Sequence, residues 1–184
     1  EYRRQRQMCI RDRDSEVLPA LVANLSSAHN KARVCWHPGY AAVDVDAIRS
    51  FERQRISDWS GMDMSTVRTH FLRGAAGAWW RTLESMGIEE DMSLGWARDV
   101  GFRSGISRSF RAYDLAEERA LNVRIHPVAV MDVGIRTLWS ADAAPEALSA
   151  LMAVVSDAGG QWTSCWHNTS VSEDEPCLLK SMVR

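Results

Sequence analysis

Hydrophobic and polar positions follow two periods along this chain, and the change between the periods predicts its elements. Apolar residues recur at helical spacing in four stretches, which predicts helices over residues 15–27, 45–59, 77–86 and 145–157. Short apolar runs that end at a glycine, a proline or a polar residue predict strands over residues 34–36, 67–73, 88–93, 123–131 and 161–167. Because strands and helices alternate, we expect an α/β fold with a parallel sheet.

Several segments carry more detailed expectations. The face of the amphipathic helix over 45–59 is shared by Ala47, Ile48, Phe51 and Arg55. Asp44 or Asp46 can cap that helix. Residues 113–121 predict a short helix or turn. Pro127 within 123–131 predicts an irregular or bulged strand, because proline cannot donate to a strand ladder.

Polar residues that can carry chemistry stand at or just after the carboxyl ends of the predicted strands. They are His37, His70, Asp91, Asp132 and His167. Because the carboxyl ends of parallel strands form one face, we expect these five residues to converge on one site. Within its strand, the alternation of side chains would place His70 on the same side as Arg68. The alternative is that each histidine is structural and hydrogen-bonds to the backbone.

Composition narrows the class of protein. The chain has 184 residues and a formal charge of -2, which fits one domain and gives no electrostatic case for binding nucleic acid. No apolar run is long enough to span a bilayer. Four cysteines without a CxxC pair indicate reduced thiols rather than a disulfide scaffold. Eight tryptophans suit either a packed core or the stacking of sugars in a carbohydrate cleft.

Residues 1–13 differ from the rest of the chain. They are rich in arginine and glutamine and have no apolar period. The segment RQRQMCIRDR resembles translated sequencing-adapter DNA. We therefore expect residues 1–13 to be non-native and the natural domain to begin upstream of residue 14. The alternative is a basic disordered arm.

Six short motifs follow in the order of a known family. They are WHPGY (36–40), RTHFLR (68–73), EDMSLGWA (90–97), GFRSG (101–105), PVAVMD (127–132) and CWHN (165–168). Together they resemble the motifs of the polysaccharide deacetylases, which are metal-dependent carbohydrate esterases built on a deformed (β/α) barrel. The resemblance implies that residues 14–184 form an incomplete polysaccharide-deacetylase-like domain, a partial (β/α) barrel of that type.

The resemblance also implies a reaction and the residues that perform it. The family hydrolyses the carbon–nitrogen bond of an N-acetyl amino sugar with water activated by a divalent metal, most simply zinc. His37 matches the first metal-binding histidine of the family, and His70 is the candidate for a second ligand. His167 matches the general acid that protonates the leaving amine, and Asp132 matches an acid that orients a histidine.

Other residues complete the predicted site. Arg103 is expected in the catalytic group, where it would orient a carboxylate, and Arg68 is expected to bind substrate. Asp91 and Trp166 are further candidates for substrate binding. The expected partner is a carbohydrate or a peptidoglycan-like glycan, and both the cytoplasm and a bacterial cell envelope remain open as locations.

The chain also departs from the family pattern. The Asp-Asp motif, which supplies the catalytic base and one metal ligand, is expected upstream of residue 14. Ala41 stands where the second metal-binding histidine would be, and Ile125 and His126 stand where a glutamate is usual. These departures favour an alternative function, a catalytically inactive deacetylase-like domain that binds a glycan.

Overall fold

The computed structural model describes residues 35–61, 63–74 and 76–167. The segment 1–13, the predicted helix over residues 15–27 and Val34 lie outside these residues. The chain divides into two compact units, Glu1–His70 and Phe71–Arg184.

The first unit is organised by a short parallel bridge. Trp36 pairs with Val67 of strand β1, Thr66–Val67. The N–H of Trp36 donates to the carbonyl of Thr66 at 3.0 Å, and the N–H of Arg68 donates to the carbonyl of Trp36 at 3.0 Å. Trp36 and Val67 are both buried. Among the described residues, the strand predicted over 34–36 is reduced to this single bridge at Trp36.

The helix predicted over residues 45–59 is confirmed as α1, Asp46–Ser60, which follows a 3₁₀ turn over Tyr40–Val43. The predicted caps are wrong, because Val45 occupies the N-cap position and no side chain caps the helix. The face that shares Ile48 and Phe51 is exposed, with Phe51 63% accessible. Arg49 is buried instead.

The strand predicted over residues 67–73 is wrong beyond Val67. Strand β1 ends there, and His70–Leu72 forms a 3₁₀ turn instead of continuing in extended form. Phe71 and Leu72 adopt left-handed backbone angles, with φ of 58° and 53°. Side chains therefore do not alternate through this segment, and the predicted common orientation of His70 and Arg68 does not follow.

The second unit begins with a helix and three paired strands. Helix α2, Ala78–Ser85, confirms the helix predicted over 77–86. Strand β2, Glu90–Asp91, pairs in parallel with β4, Arg119–Ile125. Strand β3, Phe110–Asp114, pairs with β4 in the antiparallel direction. Of the two alternatives predicted over residues 113–121, the helix is wrong and the turn is confirmed for residues 115–118. The residues on either side of this turn belong to β3 and β4, which form a β-hairpin.

A second, two-stranded sheet completes this unit. Strand β5, Val130–Met131, pairs in parallel with β6, Ser164–Cys165. Helices α3, Asp132–Leu138, and α4, Ala144–Asp157, lie between them in the chain. Helix α4 confirms the helix predicted over residues 145–157. The predicted irregularity around Pro127 is confirmed too, because β4 ends before it and β5 begins after it.

Two apolar clusters form the core around the two-stranded sheet. One contains Val130, Ile135, Ala144 and Leu148. The other contains Leu72, Val128, Met131 and Cys165. Both clusters pack against β5 and β6, close to the ends of the strands that Asp132 and His167 follow.

The class of the fold is mixed α/β, with both parallel and antiparallel strand pairs. The expectation of a wholly parallel sheet is wrong because β3 and β4 form a hairpin. The strands of the described ranges form no closed barrel. Among the helices described, none has the length and apolar content required to cross a membrane.

Candidate functional site

Asp132 and His167 meet at the carboxyl edge of the β5–β6 sheet. Val130 pairs with Ser164 and Met131 with Cys165, so β5 and β6 both end at the same edge of the sheet. Asp132 directly follows β5 and begins α3. Parallel pairing therefore brings together two residues that are 35 positions apart in sequence.

The contact between these two residues is a double one. Nδ1 of His167 lies 2.8 Å from Oδ1 of Asp132, and the backbone N–H of His167 donates to Oδ2 at 3.1 Å. The Asp132 carboxylate is 1% exposed, and the N–H of Val133 also donates to its Oδ1. Because an ionised carboxylate only accepts, Nδ1 of His167 carries the proton of this contact. Nε2 is then the nitrogen that can exchange a proton with a substrate.

A second pair of histidines lies in the first unit. Nδ1 of His37 lies 2.6 Å from the carbonyl oxygen of Arg68, which can only accept, so this nitrogen is the donor. Nε2 of His37 lies 3.3 Å from Nδ1 of His70. The backbone N–H of His70 donates to the carbonyl of Pro38 at 3.3 Å, which anchors the 3₁₀ turn against the residue after His37.

The histidine pair fits two of the ligands of a divalent metal. Two nitrogens bound to one tetrahedral zinc ion, each at about 2.05 Å, are separated by about 3.3–3.4 Å. The separation between Nε2 of His37 and Nδ1 of His70 is 3.3 Å. The hydrogen bond from Nδ1 of His37 to a carbonyl is also the contact that commonly orients a metal-binding histidine. Across residues 35–61, 63–74 and 76–167, no group of three or more His, Cys, Asp or Glu side chains could hold a metal.

Asp91 is buried completely, and its side chain is occupied by structural donors. The indole N–H of Trp80 donates to Oδ2 at 3.0 Å, and the N–H of Ser93 donates to Oδ1 at 2.8 Å. Trp80 belongs to α2, so the carboxylate connects that helix to the end of β2. A substrate would reach Asp91 only if this segment opened, and its predicted contact with substrate stays a prediction.

Trp166 and Arg68 are both partly buried. The side chain of Trp166 packs against the cluster that contains Val130 and Leu148, and its indole N–H donates to Oγ of Ser164 at 3.2 Å. Arg68 contributes its backbone carbonyl to the orientation of His37. The roles of Trp166 and Arg68 in substrate binding stay predictions.

Arg103 has a different partner from the carboxylate that the resemblance implies. Its guanidinium carbon lies 5.3 Å from the centroid of the Trp96 ring, which is a cation–π contact. Trp96 is 44% exposed. Trp96 is part of the EDMSLGWA motif (90–97), but no role for its side chain was predicted from that motif.

The groups whose pKa values are shifted belong to the scaffold. Both oxygens of the buried Asp114 carboxylate accept from Nη1 of Arg81, at 2.7 and 2.8 Å, and these bonds lower the pKa of Asp114. Bonds from Arg119 and from the backbone of Asn122 lower the pKa of Glu84. These contacts connect α2 to the β3–β4 hairpin, and no motif in the sequence predicts them.

Comparisons of this chain with protein families, with curated proteins and with solved structures found no match.

Proposed function

We propose that this chain is part of a metal-dependent carbohydrate deacetylase, which hydrolyses the carbon–nitrogen bond of an N-acetyl amino sugar. The observation that carries the proposal is the buried Asp132 carboxylate bound twice to His167 at a parallel strand edge. The six motifs in family order support it as well. The proposal includes a fold of the partial (β/α) barrel type, for which the parallel β2–β4 and β5–β6 pairs are the support.

In this proposal His167 acts as the general acid. When the carbon–nitrogen bond breaks, the leaving nitrogen takes the proton from Nε2 of His167, so that a neutral amine departs. The Asp132 carboxylate stabilises the imidazolium before the transfer and keeps the ring in one orientation throughout. Because Asp132 is buried, its charge acts on the ring in a site with little competing water.

His37 and His70 are the proposed metal ligands. A divalent ion held by these two histidines would supply Lewis-acid polarisation of a carbonyl group. The carbonyl of Arg68 holds Nδ1 of His37, which keeps Nε2 as the coordinating nitrogen of the neutral ring. The two histidines supply half of a tetrahedral ligand set.

An inactive glycan-binding domain is the second candidate function. The two-histidine pair favours it, since catalytic zinc sites use three protein ligands and Ala41 stands at the position of a further histidine. The exposed Trp96 is also suited to sugar contact without chemistry.

Acetate release from an N-acetylglucosamine oligomer tests the choice between the two. It is measured in the presence of zinc with the natural full-length protein, which the proposal expects to include the upstream Asp-Asp motif. The deacetylase proposal expects release that chelator abolishes and that His167→Gln lowers by at least about 10²-fold. His126→Gln is the matched control, a histidine at the end of β4 to which the proposal gives no role. Binding of the oligomer without acetate release would favour the inactive domain. Equal effects of His167→Gln and His126→Gln on acetate release would contradict the role of His167 as general acid.

A further inference from the structure

Trp96 and Arg103 form an exposed pair on the loop between β2 and β3. The Arg103 guanidinium lies over the Trp96 ring at 5.3 Å. Both residues are exposed. Arg103 has no hydrogen bond or ion pair with another part of the chain that the structure describes. Its five N–H donors are therefore available at the surface, on a guanidinium plane that the indole supports.

The loop that carries the pair is attached firmly to the core. Gly95 packs so closely that a Cβ there would lie 2.7 Å from Cβ of Val128. The N–H of Val128 donates to the carbonyl of Leu94 at 2.8 Å, and the N–H of Gly101 donates to the carbonyl of Ala129 at 2.8 Å. The loop is thus fixed on both sides of Trp96, and the position of the indole is set by backbone contacts rather than by chance exposure.

These attachments connect the loop to the segment that leads into the Asp132–His167 contact. Val128 and Ala129 lead directly into β5, which ends at Asp132. The same loop also touches the first turn of α3, because a Cβ at Gly134 would lie 3.0 Å from the carbonyl oxygen of Asp99. The loop that carries the pair therefore packs against residues 128–134, the segment that contains the acid orienting His167.

A stacked arginine without a carboxylate partner is a receptor for an anion. The planar guanidinium binds a carboxylate through two parallel hydrogen bonds. The part of the indole that stays exposed offers an apolar contact to the sugar ring that carries the carboxylate. A neutral sugar could contact the indole, but it would offer no anion to pair with the guanidinium of Arg103.

We propose that Trp96 and Arg103 form a subsite for an acidic sugar, one that carries a carboxylate and lies next to the N-acetyl sugar that is hydrolysed. This rests on the proposed function, since it names the neighbour of that substrate. The glycan would then be an acidic amino-sugar polymer rather than a neutral one.

Calorimetric binding of two tetrasaccharides to the natural full-length protein tests the subsite. One is a neutral oligomer of N-acetylglucosamine, and the other alternates N-acetylglucosamine with glucuronic acid. We expect the acidic ligand to bind about tenfold more tightly, and Arg103→Gln to remove most of that preference while changing neutral binding less than about twofold. Arg103→Lys should restore the preference in part, because it keeps the charge but loses the planar pair of donors.

Further variants separate binding from folding. Trp96→Ala should weaken both ligands, and Trp96→Phe serves if the alanine variant unfolds. Arg124→Gln on β4 and Tyr113→Ala on β3 are the matched controls, since they remove an exposed arginine and an exposed aromatic ring elsewhere in the same unit. Equal effects of Arg103→Gln and Arg124→Gln on acidic binding would overturn the subsite.

Acetate release, followed in parallel, distinguishes this inference from the proposed function. Release from the neutral ligand together with equal affinity for both ligands overturns the subsite alone. An acidic preference that depends on Arg103, without release from either ligand, supports the subsite and contradicts the deacetylase. Absence of binding by both ligands overturns the subsite as well.

Discussion

Asp132 shows how a buried charge can be kept in a fold. Transfer of a carboxylate out of water is costly unless hydrogen-bond donors replace the water. In Asp132 those donors are the backbone N–H groups of Val133 and His167 and the imidazole of His167. The contact between Nδ1 of His167 and Oδ1 of Asp132 both compensates the buried carboxylate and determines which ring nitrogen of His167 carries the proton.

Asp132→Asn should reverse that tautomer. An amide side chain can present its NH₂ group to Nδ1, which then accepts, and the ring proton moves to Nε2. Nitrogen-15 chemical shifts of the histidine side chains measure this directly, with His126 as the internal control. We expect exchange of the protonated nitrogen in His167 and a fall in acetate release of about 10²-fold. An unchanged His167 spectrum would contradict the role given to Asp132.

At the scale of the element, α1 is oriented by an arginine rather than by its apolar residues. Nη1 of Arg49 donates to the carbonyls of Ala42 and Val43, at 3.1 and 2.9 Å, and Arg49 also pairs with Asp46. The carbonyls are at the end of the preceding 3₁₀ turn. Burial lowers the pKa of Arg49, and the carbonyl bonds compensate the loss of water around its charge.

On α1, replacing the charged Arg49 should therefore lower the free energy of unfolding more than replacing the apolar Phe51. Arg49→Ala leaves two carbonyls without their donor and should lower the free energy of unfolding by about 1–3 kcal/mol. Phe51→Ala, on the exposed face, should stay within about 0.5 kcal/mol of the parent chain. Urea unfolding followed by circular dichroism measures both. A larger loss from Phe51→Ala would show that this face is covered in solution.

At the scale of the whole molecule, two carboxylates couple folding to pH. Ion pairs and hydrogen bonds lower the pKa of Asp114 and of Glu84 in the folded state. A carboxyl group with a lowered folded pKa binds fewer protons when folded than when unfolded. Its contribution to stability is complete above its unfolded pKa, about 4, and is lost as the pH falls through the folded value.

The melting temperature should consequently fall as the pH is lowered from about 5 toward about 2. Asp114→Asn and Glu84→Gln should each lower the melting temperature at neutral pH and flatten the acid limb of the profile. Glu118→Gln, in the turn of the same hairpin, is the matched control. Thermal unfolding by circular dichroism gives the profile, and an acid limb of equal steepness in all four proteins would contradict the assignment.

The pattern of the sequence was informative where an element is long and one face is apolar. Helices α2 and α4 follow from such faces, as in the buried Trp79 and Leu83 of α2. The β3–β4 hairpin was missed for two physical reasons. In β3 the exposed side chain is Tyr113 and the buried one is Asp114, so hydrophobic character does not follow the alternation of burial. The turn carries Glu118 in a left-handed conformation, where a glycine would have marked the turn.

The sequence by itself determined the local elements and the positions of polar residues after strands, including Asp132 and His167. Only the tertiary structure decided which of those residues meet. Hydrophobic periodicity is a property of neighbouring residues, whereas contact across the chain depends on strand pairing and on how segments pack. That is why His37 contacts His70 through a 3₁₀ turn the sequence did not predict, and why Asp91 lies beneath Trp80 rather than at an open edge.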